Sequence, residues 1–444
     1  MDWKQLLTPK RLGRSETEDI QWNRTCFQKD YDRLVFSSHF RRLKDKTQVF
    51  SLSNNDYIRT RLIHSLEVSC VGRSLGRIVG EEIVKRHKLH NYGFSASDFG
   101  DIVAAACLAH DIGNPPFGHA GEDAIRIKFD SWYGQYENTV EELLNKSQKN
   151  DFDLYEGNAQ GFRILTKLEM PYRKGGMQLT CPTLATFTKY PRESHISEDI
   201  FENNPDYNSG CSIKKYGFFQ AEKELFAEVA ETVGLVRRHS DVSWWCRHPL
   251  AFLMEAADDI CYLIVDIEDA YRMGYIMFDK AEYLLQSIAE TEITQLNQPE
   301  AIKRLRAKSI DKLVRETAEI FLDHEEEILS GKFDRDLLSL SHDAQHLETT
   351  VHAIASHVFQ HRDVLSIRIA GYEVLGKLFV EFADAVINSS PKGNLVRQLL
   401  PETYRPRAEE STYYKLLRIT DYISGMTDSY ATSLFQKLSG ISLD

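Results

Sequence analysis

The sequence predicts an all-α fold, and three observations support this. Apolar residues recur every three or four positions along most of the 444 residues, which is the period of a helix with one buried face. Strand-like alternation is scarce and amounts to one short candidate hairpin around residues 209–218. A hydrophobic content of 42% and a charged content of 27% are typical of a globular protein large enough for a substantial core.

The helical period occurs in a series of separate segments. In the first half of the chain they are 57–88, 98–110, 118–128, 135–149, 157–169 and 219–238. In the second half they are 248–290, 297–330, 336–361, 363–388 and 409–438.

Residues 170–217 interrupt this pattern. Two adjacent glycines, several prolines and many tyrosines predict a long irregular insertion in this region. No part of the chain has the composition of a clean linker between domains. We therefore expect an N-terminal segment, 1–29, followed by a single helical body over 30–435. Within that body we expect a core at about 57–272 and a C-terminal helical part at about 290–438.

Charge, cysteines and apolar runs narrow the class of protein. A net charge of −12 argues against attachment to nucleic acid by bulk attraction, although a polyphosphate substrate would still require a local basic pocket. The seven cysteines are scattered without a CxxC pair, which predicts reduced thiols. The N-terminus lacks a secretory signal, and the longest uncharged apolar run, 102–109, is too short to cross a bilayer. We therefore expect a cytoplasmic protein without a membrane partner.

The adjacent pair His110 and Asp111 is the first chemical signal. A run of small apolar residues, 104–109, precedes it, and Gly113 followed by two prolines predicts the end of that helix directly after it. An imidazole nitrogen and a carboxylate oxygen at neighbouring positions can be directed at one divalent cation. The pair alone does not indicate a metal site, so the inference depends on whether further ligands exist elsewhere in the chain.

Two predicted helices supply such partners. His64 lies on the first, with Arg61 three residues earlier on the same face. On the second, Asp258, Tyr262 and Asp266 form one stripe at spacings of four residues. Burying two carboxylates and a phenol on an apolar helix is costly unless a metal and a polar ligand compensate.

Each of these residues by itself has an ordinary alternative, a structural histidine or a solvated helix charge. Taken together, His64, His110, Asp111 and Asp258 provide two imidazoles and two carboxylates. Such a set suits one divalent metal ion, Mn²⁺ or Mg²⁺ with Fe²⁺ as a further option, better than a metal that prefers thiolates.

The order His, HisAsp, Asp resembles the HD-domain superfamily of metal-dependent phosphohydrolases. Residues 30–50, 110–122, 156–163 and 421–428 are moreover similar to the deoxyguanosine triphosphate triphosphohydrolase (dGTPase) family, and the similarity extends from about residue 10 to 438. The resemblance implies an HD-domain helical core with irregular insertions and one catalytic metal ion on the four residues above. It also implies hydrolysis of a deoxynucleoside triphosphate, with dGTP favoured, to the deoxynucleoside and inorganic triphosphate.

His119 and Glu122 are the candidate catalytic residues, three positions apart at the start of a predicted helix. The glutamate can hold the imidazole, which would then act as a base toward water or as an acid toward the leaving 5′ oxygen. The resemblance assigns catalytic importance to this pair. The alternative interpretation is a helix-capping contact between the two side chains.

The remaining candidates concern the substrate. For the triphosphate they are Arg61, Asn158, Lys189, Tyr190 and Arg368. For the deoxyribose, the resemblance implies that Tyr262 packs against C2′, where it excludes a ribose hydroxyl, and that Asp266 accepts a hydrogen bond from the 3′ hydroxyl. The alternative for Tyr262 is a place in the core. Asp259 stands where some relatives have a lysine that can contact a phosphate. In this chain, another residue must make that contact.

Two other functions stay open. One is an HD phosphohydrolase that acts on another nucleotide, such as a deoxynucleoside monophosphate, a cyclic nucleotide or an alarmone. The other is an inactive HD scaffold that senses nucleotides or DNA. Relatives suggest a homo-oligomer such as a hexamer, and single-stranded DNA as an effector, with residues 173–176 or 214–215 as contacts. Base preference, the physiological metal and the oligomeric number leave no motif in the sequence.

Overall fold

A computed structural model describes residues 1–16, 24–48, 59–136, 144–202, 210–291, 296–388 and 390–442. These residues form α-helices joined by loops and single helical turns, and their β-structure is limited to four isolated bridges. The predicted all-α fold is confirmed. None of the described helices combines the length and the apolar composition that a bilayer-crossing helix requires.

The helices of the first half are α1 Trp3–Leu6, α2 Cys26–Val35, α3 Ser38–Arg42, α4 Arg61–Arg86, α5 Ala96–Ala109, α6 His119–Tyr136, α7 Lys146–Asp153, α8 Gly157–Arg163, α9 Cys181–Phe187 and α10 Glu198–Glu202. Those of the second half are α11 Lys223–Val233, α12 Pro249–Arg272, α13 Phe278–Ala289, α14 Gln298–Asp323, α15 Glu325–Ser330, α16 His342–Phe359, α17 Arg362–Ile387, α18 Pro391–Leu399, α19 Thr412–Ser424 and α20 Asp428–Leu438. Single 3-10 turns occupy Leu43–Asp45, Leu89–Tyr92, Cys211–Ile213, Gln220–Glu222, Leu338–Leu340 and Glu402–Tyr404, and a π-helical turn, Ile164–Leu168, extends α8.

Three of the predicted segments are each divided into two helices, and one of them, 409–438, contains α19 and α20. The segment 248–290 contains α12 and α13, and Gly274, with φ of +76°, lies in the turn between them. The segment 297–330 is divided at His324 into α14 and α15. An apolar period continues across such a break when both helices bury a face, so it does not reveal the turn. The start of segment 57–88 and the middle of segment 135–149 lie outside the described residues.

The predicted hairpin around 209–218 is wrong for its described part, which begins at residue 210. The chain instead forms the 3-10 turn Cys211–Ile213. The backbone N–H of Cys211 donates to the carbonyl of Asp334, and the N–H and hydroxyl of Ser212 donate to the Asp334 carboxylate at 2.9 and 2.7 Å. The polar groups of this segment are therefore satisfied by a distant loop, not by a partner strand.

The predicted insertion, 170–217, contains helix α9, all of whose residues are buried. Thr180 caps the helix by accepting a hydrogen bond from the N–H of Thr183, and Pro182 lies in its first turn. Because α9 is fixed in the core, the residues that follow it directly, Lys189 and Tyr190, have a defined position.

Close packing of α4 on α5 brings two predicted metal ligands together. Gly72, Gly76 and Gly80 recur every four residues on one face of α4. A Cβ at Gly72 would lie 2.4 Å from the sulfur of Cys107, and one at Gly76 would lie 2.7 Å from the carbonyl oxygen of Phe99. The glycines therefore permit an approach that any larger residue would prevent.

The buried apolar residues form two clusters. The first is centred on α4, α5, α12 and α14, and the second on α6, α17, α19 and α20. The loop between α5 and α6 leads from one cluster to the other, and it carries His110 and Asp111 at its start. The domain boundaries expected from the sequence stay predictions.

Candidate metal centre and active site

The four predicted metal ligands lie together. One ligand atom from each of His64, His110 and Asp111 is within 4.8 Å of the others. Asp258, on α12, places its Oδ1 3.1 Å from the Nε2 of His64 and 3.5 Å from the Nε2 of His110. Residues from α4, from the end of α5 and from α12 thus form one cluster.

Neighbouring groups orient two of these ligands. The Nδ1 of His110 lies 2.7 Å from the carbonyl oxygen of Cys107. An N–H donated there leaves the Nε2 lone pair facing the carboxylates, as a metal ligand requires. The amide of Asn114 donates to Oδ1 of Asp111 at 2.5 Å. This set of imidazole and carboxylate donors, without a thiolate, fits one divalent cation.

Arg61 pairs with a carboxylate of the cluster. Its Nη1 lies 2.7 Å from Oδ2 of Asp111. Burial by itself would raise the pKa of Asp111, but the charges of Arg61, His110 and His64 lower it below its ordinary value. Among the described residues, the buried Nε of Arg61 has no hydrogen-bond partner, so an unused donor lies beside the cluster.

Lys189 pairs with the other carboxylate. Its Nζ lies 3.1 Å from Oδ2 of Asp258, and its carbonyl accepts from the Nε of Arg247 at 2.6 Å. Burial would raise the pKa of Asp258, but Lys189 and His110 hold it well below its ordinary value. The predicted insertion therefore reaches the cluster, where Lys189 pairs with a different carboxylate from Arg61.

The loop after Asp111 follows a tight path. A Cβ at Gly113 would lie 2.1 Å from the carbonyl oxygen of Gly157, so only glycine permits this approach. Phe117 and Gly118 have left-handed φ angles of +61° and +58°. A Cβ at Gly118 would lie 2.6 Å from Nη2 of Arg61, which shows that the loop packs directly against this arginine.

Two residues that support this loop were missed by the sequence reasoning. The ammonium of Lys46 donates to the carbonyls of Asn114 and Ser424, at 2.6 and 2.7 Å. The carboxylate of Asp428 accepts from the backbone N–H of Phe117 at 3.0 Å. Burial lowers the pKa of Lys46 to about 7, with a partly opposing charge from Asp428. Both lie within stretches that carried the family resemblance, which was the available signal.

The expected contact between His119 and Glu122 is not formed among the described residues. His119 is exposed at the first position of α6, and Glu122 is buried and accepts from the backbone N–H of Gly157 at 2.8 Å. The carboxyl group of Glu122 thus accepts its hydrogen bond from the start of α8 and not from the imidazole of His119. Desolvation and the charges of Lys215 and Arg61 lower the pKa of His119. The catalytic role of the pair stays a prediction.

Glu156 and Lys215 also lie at this site. Glu156 is buried and accepts from the side-chain amide of Asn158 at 2.7 Å. The ammonium of Lys215 lies 3.2 Å from Oε1 of Glu156. Desolvation and the charge of Glu156 raise the pKa of Glu122 to about 7. The sequence interpretation treated 214–215 as DNA contacts, but Lys215 faces this pair of carboxyl groups.

Glu122 predicts a pH dependence of stability. Its pKa rises from 4.5 to about 7 on folding, so the native state binds the extra proton, and stability falls as the pH rises through this range. Glu122→Gln stays neutral and keeps an acceptor for Gly157. Between about pH 5 and about pH 8, we expect the free energy of unfolding to fall by roughly 2 kcal/mol less in the variant than in the parent. Urea unfolding at both pH values measures this, and equal losses would contradict it.

The predicted substrate residues on α12 and in the insertion follow Asp258 and Lys189 along the chain. The ring of Tyr190 packs against the guanidinium of Arg247 at 5.7 Å. Tyr262 is half-buried, with its ring centroid 5.9 Å from that of His352. Desolvation and the charge of Asp269 raise the pKa of Asp266 to about 7, with an opposing effect from His64.

Arg368 lies on the helix α17. It is exposed on α17, one turn before Tyr372, whose hydroxyl donates to Asp123 of α6 at 3.1 Å. A Cβ at Gly371 would lie 2.8 Å from the Cβ of Phe117. Helix α17 therefore packs on the loop that leads to His119, and the place of Arg368 in the site stays a prediction.

Comparisons with known proteins agree with this geometry. Residues 61–161 match the HD domain, and residues 339–437 match a phosphohydrolase-associated domain. A deoxyguanosinetriphosphate triphosphohydrolase-like protein of a Synechocystis species is 57% identical, with all of both chains covered. One from Pseudomonas aeruginosa is 39% identical over 99% of each chain. A deoxyguanosinetriphosphate triphosphohydrolase of Klebsiella pneumoniae is 30% identical over 94% of each. The chain therefore belongs to the HD-domain family of deoxyguanosinetriphosphate triphosphohydrolase-like proteins.

Proposed function

We propose that this protein is a metal-dependent hydrolase that converts a deoxynucleoside triphosphate, with dGTP favoured, to the deoxynucleoside and inorganic triphosphate. One observation carries the proposal. The cluster of His64, His110, Asp111 and Asp258 is flanked by the cations Arg61 and Lys189, one on each carboxylate. A metal site bordered by two cations suits a substrate with several phosphates.

The four cluster residues would hold one Mn²⁺ or Mg²⁺ ion, or Fe²⁺. When bound, such an ion supplies Lewis-acid chemistry at a phosphate oxygen. Arg61 contributes its unused Nε donor, and Lys189 supplies the positive charge that Asp259 does not. We assign Asn158, Tyr190 and Arg368 to the remaining phosphate contacts. Positioning and charge neutralisation then account for most of the catalysis.

We assign His119 to the proton transfer. Its lowered pKa favours the neutral imidazole near pH 7, which suits acceptance of a proton from the attacking water. Glu122 keeps the N-terminus of α8, and with it Asn158, in place through its bond to Gly157. Glu122 thus acts through its neighbours and not through the imidazole.

The His119→Ala variant tests this assignment. We expect kcat to fall by about a hundredfold or more, because the proton acceptor is lost while every metal ligand is retained. The metal content of the purified variant should equal that of the parent. A variant that turns over at the parental rate would contradict the role of His119.

Tyr262 and Asp266 are proposed to contact the deoxyribose, as the next two members of the stripe that begins at Asp258. We expect Tyr262→Ala to reduce the preference in kcat/KM for dGTP over GTP by about tenfold, because space opens beside C2′. Tyr283→Ala, on the exposed face of α13, is the matched control. An unchanged dGTP-to-GTP ratio would reject the sugar contact.

Product analysis distinguishes this reaction from the alternatives. The purified protein is incubated with each dNTP and with Mn²⁺ or Mg²⁺, and the products are resolved by chromatography. Release of inorganic triphosphate supports the proposal, whereas orthophosphate or pyrophosphate indicates a phosphohydrolase of another class. An inactive sensor scaffold would bind nucleotide without any product, but the complete ligand cluster argues against it.

Location, assembly and effectors are part of the same proposal. We propose a cytoplasmic homo-oligomer, of which a hexamer is one form, and single-stranded DNA as an effector. Of the two suggested DNA contacts, 173–176 is the better one, since Lys215 is paired with Glu156. Equal turnover with and without an oligonucleotide at low salt would remove the DNA effector.

A further inference from the structure

A cationic cavity of about 500 Å³ lies in the C-terminal part of the fold. Its walls come from the last turn of α17, from α18, from residues 405–408 and from α19. Its described lining residues include no aspartate or glutamate. Four cations line it, and they are Arg397, Arg405, Arg407 and Lys415.

The side chains of these cations lie beyond ion-pair distance of every carboxylate in the described residues, although the backbone N–H of Arg407 donates to Glu410 at 3.0 Å. Within the described parts of the chain, none of the four side chains forms a salt bridge. The adjacent carboxylate of Glu410 is held by Arg418, whose Nε lies 3.0 and 2.7 Å from its two oxygens. In a chain with a net charge of −12, four such cations around one cavity create a local positive potential.

Neighbouring groups hold part of this set in place. The guanidinium of Arg405 donates to the carbonyl of Leu400 at 3.1 Å, and that of Arg397 donates to the side chain of Asn394. The side chains of Arg407 and Lys415 form no hydrogen bond with the described residues. Two cations are thus fixed and two have free donors, which is a suitable arrangement for a multivalent anion.

We propose that this cavity binds a small polyphosphate anion, at a second site separate from the metal centre. Arginine guanidinium groups bind phosphate oxygens through paired donors, and the volume is within the range of small-molecule sites. The ligand would be recognised by its chain of phosphates, which can be a free polyphosphate or the tail of a nucleotide. Two exposed leucines on α18, Leu395 and Leu399 (66% and 51% exposed), interrupt the basic surface beside the cavity. A long nucleic acid would require such a continuous track.

None of the described lining residues of the cavity belongs to the cluster of predicted metal ligands. Helix α17 contacts Phe117 at Gly371, and it reaches the cavity at Val386. These two positions are separated by roughly 22 Å along the helix at 1.5 Å per residue. The second site is therefore formed by other residues than the metal centre, although one helix contacts both regions.

Binding of inorganic tripolyphosphate, measured by equilibrium dialysis, tests the proposal. We compare the parent with Arg407→Gln/Lys415→Gln, and with Arg397→Gln in case the double variant folds poorly. Lys303→Gln/Arg304→Gln, on an exposed face of α14, removes the same charge elsewhere. We expect the cavity variants to lose one binding equivalent per chain, or to bind it about tenfold more weakly, whereas the control binds as the parent. Hydrolysis should continue in the cavity variants.

The same comparison in a His110→Ala background, which prevents turnover, identifies the source of the phosphates. Equal binding of tripolyphosphate and dATP indicates recognition of the phosphate chain alone, and tighter binding of dATP indicates a nucleotide. Parental binding in both cavity variants would overturn the proposal. Binding of an oligodeoxythymidine at the cavity without binding of tripolyphosphate would overturn it as well.

Discussion

The His110→Ala variant is expected to lose both its metal ion and its turnover while its helices remain intact. The imidazole is one of the four proposed ligands, and its ring is held by the carbonyl of Cys107. Loss of the ion removes several kcal/mol of charge stabilisation, which corresponds to a rate lower by about a thousandfold or more. His110 lies at the C-terminal end of α5, so its side chain contributes little to helix formation. Elemental analysis, dNTP turnover and far-UV circular dichroism measure the three quantities.

His90→Ala is the matched control. His90 is exposed in the turn Leu89–Tyr92 and lies outside the cluster. We expect this variant to keep the metal content and the rate of the parent. If His110→Ala also keeps both, the four residues do not form the metal site and the proposed reaction has no basis.

The Arg163→Met variant is expected to have the largest effect on stability. Arg163 is buried between two carboxylates, with both oxygens of Asp421 at 2.8 Å and Oε1 of Glu222 at 2.6 Å. Methionine fills similar space but leaves two buried charges without this partner. We expect the free energy of unfolding to fall by about 3 kcal/mol, which is at the lower end of the range for breaking a buried ion pair. The cost is not larger because Gln160 and Lys167 also contact these carboxylates.

Urea unfolding of the parent, Arg163→Met and Arg86→Met measures this cost. Arg86 pairs with Glu82 and Glu325, but its side chain is 41% exposed, so we expect a change below about 1 kcal/mol. Similar losses in the two variants would show that burial does not control the strength of these pairs. The result also concerns the fold, because Arg163 joins the end of α8 to α19.

The chemical groups of the candidate metal site could be predicted from the sequence because their signals are local. His110 and Asp111 are adjacent, and Arg61 and His64 share one helix face. The stripe of Asp258, Tyr262 and Asp266 follows directly from the helical period. The glycines of α4 then bring these separate helices close enough for their side chains to meet.

Contacts that depend on distant parts of the chain could not be predicted in the same way. The spacing of His119 and Glu122 suggested a bond between them, but the N–H of Gly157 takes the carboxylate instead. The contact of Lys46 with Ser424 and that of Asp428 with Phe117 each join residues more than three hundred positions apart. Nothing in the local pattern distinguishes these side chains from the rest of the 66 acidic and 54 basic residues.

The sequence by itself determined the all-α class and the types of side chain available to a metal ion. Both depend on spacing along a helix, which is set by backbone hydrogen bonds between near neighbours. Only the tertiary structure decided which cation pairs with which carboxylate and which loop segment supports the metal ligands. Those choices depend on how closely the helices pack, because the strength of an ion pair in a buried site varies steeply with distance and with loss of water.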